Sequence, residues 1–275
     1  LQPVPLYPDY YPDHPGASTY GRVLEPEPFN ASVLGSKLNW LRLPLPEFVI
    51  FKDMMVARSD LAHFHRVFNS FASFFVVAKL VFRHSIEKYR YGRGTSLVLG
   101  NALVARFFAS LLDADVTIET NKITRSLILG ENGNVSGIEM VDGGCIGARF
   151  GVVLATGGFT HDADRRREHL PSTMSDYSAT FPGATGDGAR LAEMVGARFT
   201  STVSGNAFLA PVSTYIRMDG SSAVFAHTVS DRAKPGLIAV NRRGERFVNE
   251  AVSYHEFGRS LLALQEEGSG VKATA

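Results

Sequence analysis

Three clusters in this 275-residue chain join residue types and spacings that could do chemistry. The last of them, Ser253-Tyr254-His255-Glu256, brings several proton-transferring side chains close together. A tyrosine acts as a base where its pKa is lowered or a hydrogen-bond relay takes the proton away, and a neighbouring cation helps. A tyrosine with a purely structural task fits the same four residues, and the local pattern leaves both readings open.

The other two clusters are rich in glycine. Val153-Leu154-Ala155-Thr156-Gly157-Gly158-Phe159 reads as a strand ending in small residues, which lets a ligand approach the backbone closely. A tight strand-to-loop turn without a ligand is the alternative. Gly183-Ala184-Thr185-Gly186-Asp187-Gly188 runs into an amphipathic helix, Ala189 to Val195, closed by Gly196. Backbone N–H groups at such a helix start suit phosphate or the oxygen-rich edge of a cofactor. Asp187 also fits the plain task of a helix N-cap. Neither cluster has the G-x-G-x-x-G spacing of a dinucleotide fingerprint.

Several function classes fall away. The formal net charge of +1 pulls the chain toward neither nucleic acid nor anionic membrane. Arg165, Arg166 and Arg167 stand among Asp162, Asp164 and Glu168, a solvated helix face rather than a phosphate patch. Cys145 is the single cysteine, so neither an internal disulfide nor a cysteine-held cluster can form; a reducing, cytoplasmic setting is expected. His63 and His65 share no helix face and no H-E-x-x-H occurs, so no metal is expected. The apolar run Val67 to Phe82 is shorter than the roughly 20 residues of a membrane span and carries Asn69, Ser70, Ser73 and Lys79. A buried or partly interfacial helix is expected there.

These clusters need elements to hold them. Residues 1–35 gather prolines and tyrosines into loop or short edge strand. Asp60 to Arg90 turns helical, Tyr91 to Thr95 is a glycine-rich turn, and Asn101 to Leu112 repeats apolar residues near helical spacing. Then the period drops. Val116 to Ile118, Ile123 to Leu129, Val135 to Val141 and Cys145 to Phe150 read as strands, with turns at Glu131-Asn132-Gly133-Asn134 and Asp142-Gly143-Gly144. Gly151 to Ala155 is a continuous apolar run, the signature of a strand buried on both faces of a parallel sheet. Gly236 to Glu250 reads as strand, tight turn at Arg243-Gly244, strand. The class is mixed α/β.

Four segments in this order, GRGTSLVLGNALVARFF, GVVLATGGF, ATGDGARLAEMVGA and GLIAVNRRGERFVNEAVSYHEF, resemble the FAD-dependent oxidoreductases that include fumarate reductase flavoproteins, urocanate reductases and 3-ketosteroid dehydrogenases. The resemblance spans most of residues 91–257, and the opening PDYYPDHPGAS is similar to the steroid dehydrogenase branch. It implies an incomplete Rossmann-like FAD-binding domain over 1–197, with a β-meander and a helical insertion near 36–90, and the start of an α+β substrate cap domain over 198–275. It implies FAD as cofactor, with Thr156, Gly157, Gly158, Thr185, Gly186 and Asp187 lining it. Gly94, Asn101 and Ala102 would sit near the flavin or the substrate channel. The family's leading G-x-G-x-x-G and its closing flavin segment are not in this sequence, so the chain reads as the middle of a protein about twice its length.

The residues after Asn249-Glu250 separate the branches. Fumarate reductases resemble one another in an arginine there that donates a proton; here Ser253-Tyr254-His255 stands in that place and the next arginine is Arg259. The ketosteroid dehydrogenases are similar to this chain in having a tyrosine. The resemblance therefore implies Tyr254 as general base, tuned by His255 and Arg259, in an enzyme acting on C–C or C=C bonds beside a carbonyl. Its substrate would be a steroid-like ketone, or an unsaturated acid in a fumarate or urocanate reductase reading. A non-catalytic truncated flavoprotein is the third reading, and a homo-oligomer is left open.

Overall fold

The computed structural model describes residues 1–5, 7–174, 176–200 and 205–266. The chain divides into two compact units, Leu1–Ile118 and Glu119–Ala275. The division falls at Ile118, well before the boundary expected near residue 197.

In the first unit the prolines keep strands short, because each removes a ladder donor. Strands β1 (Gln2–Pro3) and β2 (Leu24–Glu25) pair antiparallel, as do β3 (Phe29–Asn30) and β4 (Ser96–Leu97). A 3₁₀ segment, Ala31–Trp40, starts where the Asn30 side chain accepts the Ser32 N–H, and it kinks at Gly35. The expected helical stretch resolves into α1 (Leu61–His65) and α2 (Phe71–Tyr91). Helix α2 is capped by Ser70 at its start and by Gly92, in the left-handed region at φ 74°, at its end.

Of the two settings expected for the helix over 67–82, buried or partly interfacial, the buried one is contradicted. Helix α2 buries the polar Ser73, His84 and Glu87, while Phe71 is 88% exposed and Phe75 69%. The reason lies in what its inner face holds. Glu87 accepts the N–H groups of Thr95 (2.8 Å) and Ser96 (3.1 Å) and the Ser96 hydroxyl (2.6 Å). Asp53 accepts the Gly94 N–H at 3.0 Å and pairs with Lys88 at 3.0 Å. Burial works to raise both carboxyls, but these donors outweigh it and hold each below its ordinary value. Arg93 then donates to the carbonyls of Leu38, Leu41 and Arg42. The turn at 92–96 is an anchor rather than a free loop.

Helix α3 (Leu99–Asp113) closes this unit. Ala102, Ala105 and Phe108, three apart, lie on one face and pack with Ala31, Leu34, Leu38, Met55, Leu97 and Val98. Alanine at two of those positions lets the 3₁₀ segment come close.

The second unit opens with the antiparallel meander expected from the turn residues: β5 (Thr124–Leu129), β6 (Val135–Met140) and β7 (Cys145–Gly147). Val116 to Ile118 forms no strand. Nor does Gly151–Ala155, where Val153 is 91% exposed, against the buried parallel strand expected. An apolar run becomes such a strand only where neighbours take up its backbone groups, and every pairing among the described residues is antiparallel. Helices α4 (Ala163–His169) and α5 (Asp187–Met194) follow, then the ribbon β8 (Val212–Ile216) and β9 (Ser222–Ala226), α6 (Val229–Arg232) and α7 (Tyr254–Glu266). Over 236–250 the two expected strands reduce to a single bridge, Val240 with Arg246. Among the described residues no helix is long and apolar enough to cross a membrane.

Replacing Glu87 by Ala leaves the buried Thr95 N–H and the half-buried Ser96 donors without this partner. A loss of about 3 kcal/mol is expected, read from urea midpoints, whereas Glu131→Ala on the exposed hairpin turn should change little.

Candidate active site

The two glycine clusters meet. The Gly186 N–H donates to the Gly158 carbonyl at 2.9 Å, and the His161 N–H donates to the Ala184 carbonyl at 2.9 Å. Gly188 lies against Thr156 so closely that an added Cβ would stand 2.4 Å from its Oγ1. Gly186 caps α5 in the left-handed region at φ 78°. In front of Gly157 and Gly158 the space is open, since a Cβ on either would meet no atom within 4 Å. Thr156, Gly157 and Gly158 are all exposed.

That surface fits the edge of a flavin cofactor: bare backbone, one hydroxyl, and a helix start with no side-chain cap. Asp187 refines the fit. Its carboxylate accepts from Thr185 Oγ1 at 3.1 Å and from Arg190 at 2.6 Å. A carboxylate in the first turn opposes a phosphate and suits a hydroxyl or ring N–H instead. Arg190 also donates to the Thr185 carbonyl at 2.7 Å and to Asp162, so the cradle is braced from α4.

The residues expected to transfer protons begin α7. Ser253, only 2% exposed, accepts the Glu256 N–H at 3.2 Å, and Glu256 pairs with Arg259. Ser253-Tyr254-His255-Glu256 is thus also a helix start of the S-x-x-E type, a signal the sequence carried. Tyr254 and His255 occupy the first two helical positions, both partly buried. His255 Nδ1 accepts the Leu209 N–H at 3.1 Å, which leaves the ring proton on Nε2, and its ring leans on Phe208. Arg259 is exposed and pairs with Glu256 at 3.4 Å.

Arg232 organises this end, and sequence reasoning missed it. Buried, it donates to the carbonyls of Glu250 (2.8 Å), Val252 (3.1 Å) and His227 (3.3 Å) and lies 4.6 Å over the Phe257 ring. Asn241 builds the preceding turn, its Oδ1 accepting the N–H groups of Arg243 and Glu245. Glu250 accepts from Arg246 at 2.6 Å and from the Ala239 N–H at 2.7 Å, and these bonds push its pKa down to about 2.

The remaining expected site residues belong to the first unit and sit differently. Gly94 is buried beneath Asp53 and His84, where an added Cβ would stand 2.8 Å from the Asp53 carbonyl oxygen. Ala102 is fully buried in the core. Both pack closely against their neighbours here. Asn101 is half-buried on α3. The helix's first residue, Leu99, borders an apolar cleft of about 690 Å³ lined by Pro3, Pro26, Phe48, Ile50 and Val98.

Comparison with known proteins adds the family. The model of the FAD binding domain matches residues 15–274. The 4-oxocyclohex-2-ene-1-carboxylate 5-dehydrogenase of Sinomonas cyclohexanicum is 34% identical over 93% of this chain and 44% of its own length. The 3-oxosteroid 1-dehydrogenase of Mycobacterium tuberculosis is 32% identical over 92% of this chain and 44% of its own. The solved 3-ketosteroid Δ1-dehydrogenase of Sterolibacterium denitrificans, in complex with 1,4-androstadiene-3,17-dione, superposes with a TM-score of 0.78 at 31% identity, covering 97% of this chain and 48% of that one. The chain therefore spans less than half the length of these relatives.

Two outcomes test this geometry. Gly188→Ala should cost about 1–3 kcal/mol by forcing the loops apart, and adding Thr156→Ala, which removes the clashing oxygen, should recover most of it in a double-mutant cycle. Glu250 lends its stability fully above the ordinary glutamate value of 4.5 and loses it as pH falls toward about 2. Acid titration of urea midpoints should therefore decline across that window, and Glu250→Gln should flatten the decline.

Proposed function

This chain belongs to the FAD-binding domain family, and from that premise we propose that it is part of a flavin-dependent dehydrogenase acting on a C–C bond beside a ring ketone. The observation that carries the reading is the docking of the two glycine clusters through Gly186 and Gly158, which builds one exposed cradle from segments far apart in sequence. Thr156, Gly157, Gly158, Thr185, Gly186 and Asp187 would hold the cofactor's edge there. When bound, FAD supplies the hydride-accepting chemistry.

The chain's own residues supply proton transfer and order. Tyr254 takes the proton from the carbon next to the ketone. It stands half-buried at the first position of α7, just after Ser253, which accepts the Glu256 N–H. His255 keeps its Nε2 proton through the bond from Leu209 and stands as a donor beside the base. Arg259, through Glu256, holds the outer side of the same turn.

The named activities of the relatives, on 3-oxosteroids and on an oxocyclohexene carboxylate, support a ring ketone as substrate over an open-chain unsaturated acid. The exposed run Gly151–Ala155 suits a sheet whose other strands come from the part of the relatives' length that this chain does not span.

In the full-length protein Tyr254→Phe should lower turnover of a ring ketone by about 10²–10⁴-fold while the visible flavin band stays with the protein. Unchanged turnover would overturn the assignment of the base. A flavin band lost from the wild type on gel filtration would overturn the cradle.

A further inference from the structure

On the far side of the second unit's ribbon three side chains stand in line. Ser213 Oγ lies 2.6 Å from His227 Nε2, and His227 Nδ1 lies 2.6 Å from Asp231 Oδ2. In the tautomer that donates from Nδ1 to the Asp231 carboxylate, Nε2 is left to accept the serine proton. That is the hydrogen-bond order of a serine nucleophile, its base and the carboxylate that orients the base.

The backbone fixes each member. Ser213 on β8 is opposite Phe225 on β9, and His227 comes two residues after Phe225, so all three share one face of the ribbon. The His227 N–H donates to the Pro211 carbonyl at 2.8 Å, continuing the ladder, and the Phe225 ring packs edge-on to the imidazole at 5.3 Å. Asp231 lies on α6, one helical turn after His227. Arg232, next to it, holds the His227 carbonyl. Ser213 is exposed, and the imidazole and carboxylate are each about one-third exposed, so a small molecule can reach the hydroxyl.

We infer that Ser213, His227 and Asp231 form a second reactive site on this chain, a nucleophilic serine that accepts an acyl group from small, unhindered esters. Ser213 Oγ attacks the ester carbonyl carbon as its proton passes to His227 Nε2. The bond from that carbon to the leaving oxygen breaks, and the leaving oxygen takes the proton from His227. Water, deprotonated by the same nitrogen, then releases the acid and restores the serine. The net reaction is ester and water to acid and alcohol, with no change of oxidation state. It needs no flavin and is independent of Tyr254.

The test treats the 275-residue chain with a fluorophosphonate reporter, which bonds to an activated serine oxygen as fluoride leaves, and maps the adduct by peptide mass. The expected result is an adduct on Ser213 that disappears in Ser213→Ala and His227→Gln. With p-nitrophenyl acetate, hydrolysis should fall about 100-fold in His227→Gln and less in Asp231→Asn, with circular dichroism unchanged. An adduct that is absent from Ser213 in the wild type, or equally strong in His227→Gln, would show that the three groups are only a structural hydrogen-bond chain.

Discussion

The active end of the second unit hangs on one buried guanidinium. A cation out of water is costly unless its donors are used, and Arg232 uses them on three main-chain carbonyls and lays its plane over Phe257. Those carbonyls belong to the end of the β8–β9 ribbon and to the two residues that flank Ala251 ahead of α7. No ladder joins these segments. Without a shared donor they would be loops passing one another, and Tyr254 would begin a helix with no fixed direction.

Arg93 repeats the device in the first unit. It takes up the carbonyls of Leu38, Leu41 and Arg42 at the close of a 3₁₀ segment, where the last carbonyls lack internal partners. Carboxylates do the reverse. Glu87 and Asp53 collect the N–H groups of residues 94–96, and Glu250 collects that of Ala239. Long sheets would satisfy such groups by pairing; here the strands have two to six residues, and charged side chains take over. These carboxyls are all held below their ordinary values, so acid acts on the same connections that set the fold.

This division of labour explains what was legible. Helices α2 and α3 and the meander β5–β6–β7 follow from period and turn residues, which are local. The burial of α2 does not, because its phenylalanines advertise an inner face while Ser73, His84 and Glu87 occupy it. Gly151–Ala155 misled for a related reason: apolar composition states what a segment would bury, and partners decide whether it does. The glycine clusters were legible as loops that could approach a ligand, but their docking on each other rests on backbone hydrogen bonds, Gly186 to Gly158 and His161 to Ala184, that no side-chain pattern announces. At Gly94 and Ala102 smallness serves close packing, which residue type alone does not distinguish from room for a ligand. Arg232 was invisible because a single arginine has no pattern; its meaning lies in carbonyls that come from two separate places in the chain.

The same cation lies beneath both proposed sites, which share no reacting atom. Through the His227 carbonyl it steadies the imidazole facing Ser213, and through Val252 it sets the entry to the helix that carries Tyr254. Removing it would disturb both at once and say nothing about either. Tyr254 and Ser213 each end in a hydroxyl that can be deleted with the backbone left in place. The physical independence of the two sites therefore lies in their terminal oxygens, and their dependence lies in the frame beneath.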